Sequence, residues 1–91
     1  MRDRKKIFES ALDRTRQVLR KFPGDGPLES VEKQLEYLLG LETGEHNDRS
    51  RLRDIILGVQ AGKLIEQLDS ELADMLVDAA IEARDMDYRR Y

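Results

Sequence analysis

An all-α fold, a small antiparallel bundle of about four helices, is what this 91-residue sequence predicts, and three observations lead there. Apolar residues recur at i, i+3 and i+4 through most of the chain, the spacing that lines one face of a helix. The interruptions between these runs carry proline, glycine and asparagine. No stretch alternates with the period of two that a half-buried strand requires. Short connections between such helices make sequential neighbours antiparallel. The length suits one domain, 1–91, with a single modest core, because a chain this short buries only about 60 to 65% of its unfolded surface.

The first helix is expected from about Asp3 to Phe22, with Ile7, Phe8, Ala11, Leu12, Thr15, Val18, Leu19 and Phe22 on one face. It ends at PGDGP, Pro23 to Pro27, where Pro27 suits the first turn of a following helix because the amide it lacks would be unpaired there. The second helix, Leu28 to about Glu42, buries Leu28, Val31, Leu35, Leu38 and Leu39, and TGEHN, Thr43 to Asn47, breaks it. A third is expected from Asp48, as a carboxylate cap, to Leu68. Asp69 or Ser70 can cap the fourth, whose inner side carries Leu72, Met75, Leu76, Ala79, Ala80, Ala83 and Met86 before RRY closes the chain.

The third helix raises a question of its own. Leu52, Ile55, Ile56 and Val59 form one apolar stripe, while Leu57, Ala61, Leu64 and Leu68 form a second, roughly opposite. Either this helix sits between two neighbours and needs two apolar faces, or the second stripe is a surface kept for a partner. Gly58 and Gly62 favour the first reading. Each costs about 1 kcal/mol in a helix relative to alanine, which suggests a close crossing by another backbone.

Composition narrows the class further. The chain has no cysteine, so a disulfide framework, a thiolate metal site and a thiol nucleophile are all unavailable, and a reducing, cytoplasmic compartment is the natural reading. The basic N-terminus is followed by no long apolar run, which predicts neither a signal peptide nor a membrane span. Charge is unevenly placed: Met1 to Phe22 holds eight basic residues against three acidic, whereas Asp69 to Tyr91 holds three against seven. The basic residues of the first helix scatter around its wheel without interleaved aromatics, and the total is −3. Neither property fits a nucleic-acid groove binder.

Acidic residues of the fourth helix are better ordered. Glu71, Asp74, Asp78, Glu82 and Asp85 follow at spacings of three or four and form a strip. Each like-charge neighbour pair opposes the helix by about 0.2 to 0.5 kcal/mol, so something should offset it. Pairing with the basic first helix is one answer. A negative strip offered to a positive cleft on a partner is the other. Catalytic constellations are missing: His46 is the only histidine and is expected in solvent, and Glu42, Glu45, His46 and Asp48 lack the inward Glu-x-x-His spacing of bundle metal sites. No catalytic residue, metal site or cofactor is predicted, and the protein is read as a non-enzyme.

One resemblance can be drawn from several short motifs in a fixed order. E-K-Q-L-x-Y at Glu32 to Tyr37 is followed by D-R-S-x-L at Asp48 to Leu52, by Leu57-Gly58 and Ala61, and by D-x-E-L at Asp69 to Leu72. Together they resemble the small helical immunity proteins that protect type VI secreting bacteria from NAD(P)+-degrading effector toxins. The resemblance implies a cytoplasmic protein that binds a cognate toxin domain, covers its nucleotide cleft and does no chemistry itself. It involves neither nucleic acid nor membrane. For such an interface the leading anchor is Tyr37, on the helix side away from the Leu28, Val31, Leu35 and Leu38 stripe, flanked by Lys33 and Glu36. Glu71, Asp74 and Asp78 would supply the steering charge. The runner-up reading is a homo-oligomeric helical adaptor or regulator with the second leucine stripe as its seam; a homodimer is compatible with either.

Overall fold

Asp3 starts the first helix, accepting a hydrogen bond from the Lys6 amide at 3.1 Å, and α1 runs Arg4–Lys21. The computed structural model describes residues 3–88 apart from the side chain of Tyr88; the closing RRY lies outside the described residues. Helix α1 buries Phe8, Ala11, Leu12, Thr15 and Val18. The Thr15 hydroxyl avoids an unpaired polar group in this core by donating to the Ala11 carbonyl at 2.7 Å. Arg20 and Lys21 lie at the C-terminal end, where cations complement the helix dipole. The chain then turns through Gly24 at φ 82°, and Asp25 accepts from the Leu28 amide at 3.0 Å. Helix α2, Gly26–Thr43, thus begins two residues before the expected Leu28, with Pro27 in its first turn, and stops at left-handed Gly44.

The expected third helix is not one helix. Asp48 caps a turn instead, its carboxylate accepting from both the amide and the hydroxyl of Ser50. A single 3₁₀ turn follows at Leu52–Asp54, the chain is extended at Ile55, and only then does a short helix α3 form at Leu57–Gln60. This continues into a π-helical stretch, Ala61–Ile65, in which the Glu66 amide reaches back five residues to the Ala61 carbonyl at 3.0 Å. Helix α4 spans Ser70–Tyr88, and Asp69 caps it by accepting from the Leu72 amide at 2.8 Å.

These elements form an all-α bundle in which α1 packs against both α2 and α4, and the irregular 52–65 segment packs on α4 and α2. The core joins Phe8, Leu12 and Val18 of α1 to Leu28, Leu35 and Leu38 of α2 and to Leu72, Leu76 and Ala79 of α4. From the irregular segment it takes Leu52, Leu57, Ala61 and Ile65. Each of the two stripes of the expected third helix is therefore split: Leu52 of the first and Leu57 and Ala61 of the second are core, while Ile56 and Val59 of the first and Leu64 of the second are in solvent. The close crossing is also halved. A Cβ on Gly58 would meet the Ala80 Cβ at 3.5 Å, an ordinary contact, but Gly62 has nothing within 4 Å.

Candidate partner-binding surface

A partly buried polar network decides why the third segment breaks where it does. The Gln34 side-chain amide donates to the Gln60 side-chain oxygen at 2.8 Å and to the Ser30 hydroxyl at 3.1 Å, and Gln60 donates to the same hydroxyl at 3.3 Å. The Gln34 oxygen accepts the Ile56 amide at 2.9 Å. That amide stands just before α3, so a side chain of α2 supplies the partner that a continuous helix would have supplied from its own backbone. Gln60 is buried and its polar atoms are paired inside this cluster. The segment is thereby pinned to α2, with Ile56 and Val59 turned outward.

A second clamp holds the loop before it. The His46 ring, expected in solvent, folds back onto α2 over Gly40, and its centroid lies 5.2 Å from that of Tyr37. Its Nε2 is 3.1 Å from the Tyr37 carbonyl, and the Asp48 amide donates to Nδ1 at 3.2 Å. A carbonyl only accepts and an amide only donates, so the two bonds together specify the neutral tautomer protonated at Nε2. The Tyr37 hydroxyl completes the clamp by donating to the Asp48 carbonyl at 2.6 Å and accepting from the Arg51 amide at 3.2 Å. Burial pushes the Tyr37 phenol above its ordinary value, and the Ser50 hydrogen bonds hold the Asp48 carboxyl below its own. From the same loop the Arg49 guanidinium donates to the Met86 carbonyl near the end of α4. Tyr37 is half-buried against the core and organises this loop, a role that its position opposite the leucine stripe of α2 did not disclose.

The other expected site residues fall on two sides of α1. Glu36 pairs with Arg16 at 2.9 Å, and Glu71 with Arg14 at 3.3 Å. Arg14 and Arg16 are two residues apart, about 200° around the helix, so the α2 and α4 groups do not meet in one patch. Lys33 borders a shallow depression with Gln34, Arg51 and Ile55, whereas Asp78 borders another beside Lys6 and Ile7. Asp74 is exposed on α4.

Within the acidic strip, pairing with α1 supplies the offset that repulsion demands. Arg4 contacts Glu82 at 3.1 Å, Glu42 at 3.6 Å and also Asp85, and Glu82 is buried where they meet. Burial works to lower the Arg4 pKa, but its hydrogen bond to Glu82 and the surrounding carboxylates raise it on balance. Arg14 meets Asp69 at 2.7 Å as well as Glu71.

Several large apolar side chains also stand in water. Ile56 is 48% exposed, Val59 59%, Leu64 48%, Val77 46%, Ile81 51% and Phe22 39%. Between the 52–59 segment and α4 runs an open groove of about 270 Å³ walled by Ile55, Ile56, Val59 and Ala80, with Arg53 and Arg84 at its edges. Sequence periodicity did group Ile55, Ile56 and Val59 on one stripe, but it expected that stripe to pack on a neighbouring helix and Ala80 to face the core, so it missed this surface. Among the described residues no three histidine, aspartate or glutamate side chains converge as a metal site would need, and no helix is long and apolar enough to cross a membrane.

Comparison with known proteins places this architecture. A profile of the Tsi6 family matches residues 4–85, from the first residue of α1 nearly to the end of α4. The immune protein Tsi6 of Pseudomonas aeruginosa is 39% identical over 61 residues, covering 67% of this chain and 65% of that protein. No solved structure gives a significant match. The resemblance to small helical immunity proteins drawn from the motifs is borne out, and the chain belongs to the Tsi6 family.

Proposed function

We propose that this protein is an immunity protein that binds the toxin domain of a cognate type VI secretion effector in the cytoplasm and occludes its active site. The effector we assign to it is an NAD(P)+ glycohydrolase. The observation that carries this reading is the family match over residues 4–85, reinforced by a relative described as an immune protein. The geometry agrees with binding rather than turnover: the single histidine is committed to loop hydrogen bonds, while apolar side chains stand in water beside an open groove. Inhibition by occlusion needs only such a complementary surface.

An immunity gene is expected beside the gene for its toxin, so the test is co-expression with the toxin domain encoded there, reading growth, cellular NAD+ and NADP+, and co-purification. Protection of growth and of both nucleotide pools, with a stable complex, is the expected result. A toxin that depletes some other metabolite while still being neutralised would overturn the glycohydrolase assignment alone. Failure to bind or protect would overturn the immunity reading itself.

A further inference from the structure

We infer that the toxin domain docks on the groove between the 52–59 segment and α4, through an element that places apolar side chains between carboxylates. This rests on the immunity reading above and names the surface that reading leaves open. Ile56 and Val59 flank one side of the groove, and Val77 and Ile81 extend the α4 wall, since positions 77, 80, 81 and 84 share one helix face. All four apolar side chains are about half exposed, and with Leu64 and Phe22 they are the large apolar side chains that stand in water among the described residues. A contiguous apolar surface of this kind on a small protein marks an interaction site.

Charge selects the occupant. Arg53 and Arg84 border the groove beside one carboxylate, Asp87, and the adjoining depression, which shares Ile55 with it, is bordered by Lys33 and Arg51 beside Asp54. Four cations against two carboxylates leave this surface positive on a chain whose total charge is −3. They complement an acidic, apolar element, and arginine beside a desolvated apolar centre is a common binding hot spot. The acidic strip is the weaker competitor because Arg4 and Arg14 already occupy much of it. A rigid mount adds to the case: the Ser30, Gln34 and Gln60 network and the Tyr37 clamp fix the 46–60 segment before any partner arrives, which lowers the ordering cost of binding.

The experiment measures affinity for the neighbouring gene's toxin domain with the wild type, Val59→Glu, Arg84→Glu and Asp74→Lys, after thermal unfolding confirms that each variant folds. Val59→Glu and Arg84→Glu should each weaken binding by about tenfold or more, and Asp74→Lys by no more than about twofold. Wild-type protein that fails to bind would overturn the immunity reading. Wild-type binding with unweakened groove variants, or with the loss confined to Asp74→Lys, would overturn the groove assignment alone. Sedimentation of the wild type supplies a further check. A dimer that Val59→Glu dissolves while toxin affinity is kept would put a second copy in the groove and also overturn the assignment.

Discussion

The His46 imidazole occupies the space that a side chain on Gly40 would need. A Cβ built on Gly40 would lie 2.7 Å from His46 Cδ2 and 2.9 Å from Nε2, well inside van der Waals contact. Gly40 is therefore the position at which a missing side chain matters most in this fold, although it lies inside α2, where glycine is locally unfavourable. Gly40→Ala should gain about 1 kcal/mol of helix propensity but expel the ring, losing two hydrogen bonds at about 1 kcal/mol each. In a His46→Ala background only the gain remains. Urea unfolding of the four proteins in this cycle should show the Gly40→Ala effect change sign between backgrounds; the same sign in both would mean that the ring does not hold the loop.

Tyr37→Phe removes the hydroxyl that bridges the Asp48 carbonyl and the Arg51 amide while keeping the ring against the core. A loss of about 1 kcal/mol in stability is expected. Hydrogen exchange should quicken at the amides of residues 48–51 and stay unchanged in α1. Uniform change across the chain would argue against a local clamp.

Asp69 joins two jobs, capping α4 through the Leu72 amide and pairing with Arg14 of α1. Burial works to raise its carboxyl pKa, but these donors outweigh it and hold the group below the ordinary aspartate value. Folding therefore gains from the ionised form above the unfolded value of about 3.9, and that gain is lost as pH falls through and below it. Asparagine can still cap the Leu72 amide, so Asp69→Asn should lower stability by up to about 1 kcal/mol at neutral pH through loss of the Arg14 ion pair, with the gap to wild type narrowing below about pH 4. Thermal scans between pH 7 and pH 3 check this, and a gap that widens with acid would contradict it.

Arg4 is a counter-charge at the buried end of the acidic strip. Arg4→Met keeps much of the apolar stem and removes the charge beside Glu82, so about 2 kcal/mol of stability should be lost. Adding Glu82→Gln should restore part of it, because the carboxylate that needed compensation is then gone. Two losses that simply add would show that the pair is not coupled.

Gly58 and Gly62 should respond differently to the same substitution. Gly62→Ala enters open space and should stabilise by about 0.5 to 1 kcal/mol through reduced freedom of the unfolded chain. Gly58→Ala places its methyl in ordinary contact with Ala80 and should change stability little, whereas Gly58→Leu thrusts into the groove and should weaken toxin binding. Melting temperature and affinity together separate the two positions; a Gly62→Ala variant less stable than wild type would indicate a neighbour that the fold does not show.

By itself the sequence determined the three long helices, because each carries its own evidence within a few residues. In α1, Asp3 and the Phe8 to Val18 stripe specify start and buried face; in α2, Pro27 and the Leu28 to Leu38 stripe do so to within two residues of the start that the Asp25 cap sets; in α4, Asp69 and the Leu72 to Met86 stripe. The alternatives for the acidic strip were also legible, since opposite charge at the two ends of the chain anticipates the Arg4 and Arg14 pairs. Only the tertiary structure decided residues 46–65. Local propensity there favoured one helix, and the outcome turned on groups distant in the chain: Gln34 taking the Ile56 amide, Tyr37 bridging Asp48 and Arg51, Gly40 leaving room for His46. Helix periodicity records what one segment can bury alone. It carries no information about which backbone amide a side chain 22 residues away will capture, and that capture turned Ile56 and Val59 outward and made the groove.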